Sequence, residues 1–359
     1  MAETFIVDPN MTDEEIQQGI NSSTRFVIAE DHTNTEPTGG PLAEEYIRGR
    51  VHIIDQLIRD YPNCMFILDH YRFSVEDCDN VIWLPLCWMM FPAMMDSQTQ
   101  VTTDWQTPRP VTVNHAGGKN RINRILLEHW LAKNYPLNQL THTKKEESEL
   151  SMIESVIRSS SYANKKHLRP RQNLPVKWFD HVKLNRDDYY HKRFHTGIQV
   201  LIKELKLSSY LALQTEAQDI TLNTTIGEKT WESMVGGNLV LQFGNYRINR
   251  IYKKLGLETF EHCFDDSHTE STDRYYQTIG GCENNKALIT NHDNIEALWF
   301  ENLPALKHNS RLAKDIHHWF QMFEQPMRLL CDALALEKNI DPFFVTSIPV
   351  DRFRYEFKL

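Results

Sequence analysis

The sequence predicts an α/β protein in which parallel sheets are covered by helices, divided into two domains. Short apolar runs of strand length alternate with segments whose apolar residues recur at helical spacing. At 359 residues the chain also exceeds what one hydrophobic core usually serves.

The first strand expected is TRFVIA (24–29), followed by a helix within 42–60 that carries Leu42, Tyr46, Ile47, Ile53, Ile54, Leu57 and Ile58 at helical spacing. CMFILD (64–69), VIWLPL (81–86) and VTVNH (111–115) read as further strands, the last leading into a helix. A polar stretch over 141–180, broken by Pro170 and Pro175, marks a boundary. Beyond it come a strand at SSYLALQTE (208–216), a short helix at GEKTWESMVGG (227–237), a strand at NLVLQF (238–243) and a helix at NYRINRIYKKLG (245–256). The stretch 311–336 reads as helical with a break at Pro326. These signals divide the chain into a first domain (1–155), a basic connection (156–195), a second domain (196–310) and a C-terminal helical segment (311–359).

Composition is that of an ordinary globular protein, with 41% hydrophobic and 24% charged residues and a formal net charge of −9. No apolar run approaches the ~20 residues of a membrane span, and the most apolar stretch, VIWLPLCWMMFPAMM, is interrupted by Pro85 and Pro92. The start, MAETFIVDPNMTDEEIQQ, lacks the basic-then-apolar layout of a signal peptide, so a cytoplasmic setting is expected. Cys64, Cys78, Cys87, Cys263, Cys282 and Cys331 are scattered with no C-x-x-C pair, which suggests neither a zinc cage nor a disulfide framework. The histidines of HKRFH (191–195) and DIHHWF lack supporting acids, so no metal site is expected.

The string RINRI occurs at 121–125 and again at 247–251, once in each expected domain. Each time a strand runs through a glycine-containing loop into a helix whose first turn carries arginine. A helix start presents free N–H groups and a partial positive charge, so a cation there costs a few tenths to about 1 kcal/mol. A bound phosphate, or a carboxylate from elsewhere in the fold, offsets that cost, and glycine lets an anion reach the backbone. A five-residue match also arises by chance, and arginines at helix starts commonly meet water or a neighbouring acid. In either reading, loops at the carboxyl ends of parallel strands face the crevice where ligands of open α/β sheets sit.

A more specific signal is LALQTEAQDITLNTTIGEKTWESMVGGNLVLQFGN (211–245). A strand ends at Gln214, Thr215 and Glu216, a polar loop follows, and Glu228 and Lys229 open a helix with Trp231, Met234 and Val235 on its apolar side. A carboxylate at a helix start is favoured by the dipole and can accept two hydrogen bonds from the vicinal hydroxyls of a ribose. Lys229 in that turn is disfavoured unless it faces an anion such as a diphosphate. On spacing alone, Glu228 as a cap and Lys229 as a solvated side chain serve as well.

This segment resembles the donor-binding stretch of fucosyltransferase-like glycosyltransferases: a strand ending in an acid, a loop, E-K, an aromatic-containing helix, a small-residue pair and a strand. The continuation RINRIYKKLGLETFEHCFDDSHTESTDRYYQTI (247–279) is similar to that of viral glycosyltransferase-like proteins, and the upstream VTVNHAGGKNRINRILLEHWL resembles their N-terminal unit. The chain departs from the pattern in DDSHTE, which lacks a tyrosine, and in Gly227, where threonine or another residue is usual. The resemblance implies a GT-B architecture, two Rossmann-like domains with parallel sheets facing a cleft. It also implies a metal-independent, inverting transfer of sugar from a nucleotide donor. By position, Glu228 would bind the ribose, Lys229 the diphosphate and Glu216 the sugar or ribose hydroxyls; Asn245 and Arg247 would join them, with Arg121 and Arg124 approaching the phosphates or the acceptor. No permanently bound cofactor is implied, only a GDP- or UDP-sugar co-substrate. A viral member would act in the host cytoplasm.

The acceptor hydroxyl needs a general base. Glu30, Asp31, Asp69 and His70 follow expected strands, and Asp69 is preferred among them. For the acceptor, the segment 163–193 contains nine Lys or Arg against three Asp, with Trp178, Phe179, Tyr189 and Tyr190 interleaved. That composition suits either a nucleic-acid surface, hence a modified DNA base, or a solvated connection, with a glycan acceptor equally open. The alternative function is a non-catalytic nucleotide- or nucleic-acid-binding structural protein of the same fold. A dehydrogenase or methyltransferase is disfavoured because no G-x-G-x-x-G follows a strand.

Overall fold

The computed structural model describes residues 3–7, 11–29, 52–85, 88, 101–116, 122–134, 140–143, 206–215, 223–224, 226–273 and 275–334. Its strands are β1 (Glu3–Val7), β2 (Thr24–Ala29), β3 (Met65–Leu68), β4 (Tyr71–Arg72), β5 (Val81–Trp83), β6 (Val111–Ala116), β7 (Leu140–Thr143), β8 (Ser209–Thr215), β9 (Asn223–Thr224) and β10 (Leu239–Phe243). They build two four-stranded sheets, in the orders β1-β2-β3-β5 and β10-β8-β6-β7, plus the small pair β4-β9. Within both large sheets every pairing is parallel. The protein is thus α/β with two Rossmann-like parallel sheets, as the alternation of apolar runs predicts.

The chain divides into two compact units: Met1–Met94 with Leu222–Thr225 and Asp315–Leu359, and Met95–Thr221 with Ile226–Lys314. In the first unit β1 is a strand that the sequence does not announce. Only Phe5, Ile6 and Val7 are apolar there, too short a run to signal a strand until it pairs along β2. Helix α1 (Asp13–Gly19) opens with a capping box: Thr12 Oγ1 accepts from the Glu15 amide (3.2 Å) and Glu15 Oε2 from the Thr12 amide (2.6 Å). The helical stretch 52–60 buries Ile54, Leu57 and Ile58 beside Val27, Phe66 and Leu68 in one apolar cluster. Leu42, Tyr46 and Ile47, expected on the same helix, lie outside the described residues. At the C-terminal end, helices Ile316–Met322 and Glu324–Leu334 complete this unit. The break before Pro326 falls at Phe323, so the proline sits in a first turn, where its missing N–H costs no hydrogen bond. Thr4 donates to the Ala333 carbonyl (2.6 Å), and Trp83 meets Phe323 edge to face (5.8 Å).

The second unit corrects the expected domain bounds. β6 and its following helix α2 (Ile122–Asn134), placed by sequence in the domain 1–155, belong to this unit, because β6 pairs with β8 over Val111–Asn114. Strand-length runs show where strands lie but not which partner they choose, and the pairing is made across a hundred residues of chain. Both RINRI copies therefore rise from one sheet instead of standing in separate domains. The expected connection 156–195 lies outside the described residues. All seven residues of β8 and all five of β10 are buried, as for strands covered on both faces. On one face Val113, Leu211, Leu213, Leu239, Leu241 and Phe243 cluster with Leu126, Leu127, Trp130 and Leu131 of α2. Helix α3 (Glu228–Val235) meets the other face, where Gln214 donates to Ser233 Oγ (2.6 Å).

A buried polar network ties together the amino ends of these strands. Arg109, 4% exposed, donates to the carbonyls of Lys206 (2.9 Å), Ser209 and Gly236 (2.8 Å), while its guanidinium lies 4.6 Å from the centre of the Trp299 ring. Asn238 donates to the Lys206 and Ser209 carbonyls (2.9 and 2.6 Å), and Lys206 Nζ to Asn114 Oδ1 (2.9 Å). Burial pushes the Arg109 guanidinium down to about 10, which leaves it charged at neutral pH.

Candidate functional site

The strand order β10-β8-β6-β7 contains one reversal. From β6 the chain winds outward to β7 on one side, then returns to β8 on the other and continues to β10. Connections leaving β6 and β8 therefore diverge onto opposite faces, and the carboxyl ends of such neighbouring strands border the usual ligand crevice of an open α/β sheet. The ends in question are His115–Ala116 and Gln214–Thr215.

Helix α2 begins at Ile122, so Asn123 and Arg124 stand in its first turn, both buried (2% and 3% exposed). Asn123 Oδ1 accepts from the Arg124 amide (2.9 Å), satisfying one free N–H of the helix start. The Arg124 guanidinium reaches toward the last residue of β8, with Nη2 3.5 Å from the Thr215 carbonyl. His115 Nδ1 bonds the Leu213 carbonyl (3.0 Å), tying the ends of β6 and β8 together.

Two strands away, β10 is followed by Gly244 and the buried Asn245. Gly244 has φ +83°, and a Cβ there would fall 2.4 Å from Asn123 Nδ2. The second RINRI begins with Arg247, which caps helix α4 (Ile248–Lys254) in the left-handed conformation, φ 51°. Its Nε bonds Glu270 Oε2 (2.7 Å), its amide donates to the Thr269 carbonyl (3.0 Å) and its guanidinium lies 4.8 Å from the Tyr246 ring centre. The offsetting partner anticipated for an arginine at this helix start is thus a protein carboxylate. Asn249, on the same turn, donates to Asp266 Oδ2 (2.8 Å).

Lys229 is the second residue of α3, on the opposite face from α2, with Gly227 as N-cap. Ser233 Oγ donates to the Lys229 carbonyl (2.8 Å) and accepts from Gln214, so this turn is anchored to β8. Trp231, Met234 and Val235 are buried, as their spacing predicts, with Trp231 Nε1 bonded to the Ala313 carbonyl (2.7 Å). Glu228 is the first residue of the helix, and the cap is Gly227. Glu216 and Arg121 lie outside the described residues.

The structure therefore brings Arg124 and Asn245 to one edge of one sheet, with Arg247 on the β10 side and Lys229 across the sheet. It adds Asn123, Thr215 and Gly244, which sequence reasoning passed over. Asn123 was legible in one respect: in both RINRI copies the asparagine is the second residue of a helix opened by isoleucine.

In the first unit Asp69 directly follows β3, with Oδ2 3.8 Å from His70 Nε2 and its carbonyl accepting from Trp83 Nε1 (3.1 Å). Three residues after Asp69, Arg72 forms a buried ion pair with Asp55 (2.6 Å). β4, which contains Arg72, pairs antiparallel with β9. Glu30 and Asp31 lie outside the described residues.

These features define an α/β protein with Rossmann-like parallel sheets and a cluster of polar residues at the carboxyl ends of the strands in its second unit. Compared with protein-family models, with curated proteins and with solved structures, the chain matches none. No helix among the described residues is long and apolar enough to cross a membrane.

Proposed function

We propose that the chain is a nucleotide-sugar-dependent glycosyltransferase of the GT-B class, with the donor bound by the second unit. The observation that carries this reading is the reversal between β6 and β8. Two basic helix starts, Arg124 on α2 and Lys229 on α3, leave from these neighbouring strands onto opposite faces. That arrangement suits an anion held at the strand ends, where helix dipoles and cations stabilise a departing diphosphate. In this reading Lys229 and Arg124 meet the diphosphate, Glu216 and Glu228 take sugar or ribose hydroxyls, and Asn245 and Arg247 line the β10 side. Asp69 is the base that receives the acceptor's proton in an inverting, metal-independent transfer to a glycan or a modified DNA base.

The test is a thermal-shift screen against GDP, UDP, ADP, CDP and their sugars, with Lys229→Ala as control. A ligand at a hundredfold its Kd stabilises by about 2.7 kcal/mol, and the proposal expects one nucleotide to do so selectively and to lose the effect in the variant. Donor hydrolysis and transfer are then measured with that nucleotide. Absence of any shift, together with salt-sensitive DNA binding, would replace the proposal with a nucleic-acid-binding role.

A further inference from the structure

The two RINRI copies start their helices in the same register, yet their asparagines end differently. In the second copy, Asn249 Nδ2 donates to a carboxylate oxygen of Asp266 (2.8 Å), and Arg247 beside it pairs with Glu270. In the first copy the Asn123 amide is 2% exposed and its Nδ2 has no hydrogen-bond partner among the described residues. The Thr215 hydroxyl, 1% exposed, likewise has none among the described residues. Buried donors are nearly always satisfied, so two at one strand edge call for an explanation. They share a corner. Thr215 follows Leu213 by two residues, which puts its side chain on the face covered by α2, and Arg124 of α2 reaches the Thr215 carbonyl. Thr215 stands opposite Phe243 in the sheet, and Gly244, the next residue, leaves room for the Asn123 amide.

We propose that Asn123 Nδ2, the Thr215 hydroxyl and the Arg124 guanidinium hold one phosphoryl group of a phosphorylated ligand on the α2 face of the second sheet. The ligand's oxygens take the place that the Asp266 carboxylate fills in the second copy. This deepens the donor reading above and rests on it for the ligand's identity, since the group held would be a phosphate of the donor diphosphate. It also sets the polarity of binding: this phosphate lies on the α2 side, with Lys229 reaching the ligand from the α3 side.

Binding is measured by calorimetry on the full chain with inorganic pyrophosphate and with the nucleoside diphosphates of the screen. Two variants separate ligand contact from folding. Asn123→Asp keeps the oxygen that accepts from the Arg124 amide and replaces the donor by an anion. Thr215→Val removes the hydroxyl at constant shape, which in the ligand-free protein leaves melting unchanged or raises it. The expected result is at least tenfold weaker binding for Asn123→Asp and three- to tenfold for Thr215→Val. Wild-type affinity in both variants overturns the site, and if Lys229→Ala still abolishes nucleotide binding in that case the donor reading survives alone. Pyrophosphate binding that is lost in Asn123→Asp, with no nucleotide binding more tightly than pyrophosphate, keeps the phosphoryl site and removes the glycosyltransferase reading. No binding of either probe to the wild type overturns both.

Discussion

Gly244 turns at φ +83° directly against Asn123, whose Nδ2 lies 2.4 Å from where a Cβ at position 244 would sit. The loop after β10 and the first turn of α2 are thus fitted to each other, although their sequences are more than a hundred residues apart. Gly244→Ala is expected to lose about 1–2 kcal/mol from backbone strain alone, with a further loss as Asn123 is pushed aside. Gly256 is the internal control. It too has positive φ (+73°), but its nearest neighbour, Leu312, is 3.7 Å from a built Cβ, so Gly256→Ala carries the backbone strain only. Urea unfolding of both variants checks this: equal losses would mean that the Asn123 contact contributes nothing.

The Arg247–Glu270 pair leads to a second prediction. Both side chains are partly exposed (33% and 55%), so the pair contributes at most about 1 kcal/mol. If Arg247 also serves the donor phosphates, Glu270 competes with the ligand for the guanidinium. Glu270→Gln should then tighten nucleotide binding severalfold and steepen its dependence on salt, while changing stability by less than about 1 kcal/mol. Weaker binding in this variant would show that Glu270 positions Arg247 instead of restraining it.

The strands within TRFVIA, CMFILD, VIWLPL, VTVNH, SSYLALQTE and NLVLQF were all legible as short apolar runs, which β8 and β10 owe to burial on both faces. Their partners were not legible. Period and length carry no information about whether β6 joins β3 or β8, and so the domain bounds fell in the wrong place. The site was legible in part. Arg124, Asn245 and Lys229 were marked by their helix or loop starts, whereas Thr215 and Gly244 matter only because a third element, α2, folds back over the ends of two strands. The ion pair of Arg247 was hidden for the same reason: Glu270 reaches it through a tertiary turn, 23 residues along the chain.

Asp266 supplies a pH test. Burial holds its carboxyl above the ordinary carboxylate range, against the opposing pull of His268 and the Asn249 amide. An unfolded aspartate titrates near 3.9. Between that value and the raised one the folded state binds more protons, so this residue's contribution is complete below the unfolded pKa and is lost as pH rises through the folded one. Glu261 and Asp265 nearby are shifted down, Glu261 chiefly by its bond from Lys253 and Asp265 by its bonds from Ser267, and act in the opposite sense, losing their stabilisation as pH falls. Asp266→Asn keeps an oxygen that can accept from Asn249 and removes the buried charge. The variant should be more stable than wild type at pH 7, with the advantage shrinking as pH falls toward 4. Urea midpoints of the two proteins across that range decide the matter, and a difference independent of pH would refute the assignment.

Arg109 tests whether the fold and the site are separable. Its guanidinium fork gathers carbonyls from Lys206, Ser209 and Gly236 at the amino ends of the strands, the edge opposite the candidate site. Arg109→Leu leaves these buried acceptors short of donors at about 1–3 kcal/mol for each one not re-satisfied. Asn238 already donates to two of them, so a net loss of about 3 kcal/mol is expected. Arg109→Lys should recover little of it, because a point cation cannot span three carbonyls or lie flat over Trp299 as the planar guanidinium does. Both variants are followed by urea unfolding and, where folded, by ligand calorimetry. Stability should fall in both while the Kd of the folded protein stays at its wild-type value. A Kd that weakened in proportion to the stability lost would mean that the amino-edge network and the carboxyl-edge crevice open together as one cooperative element.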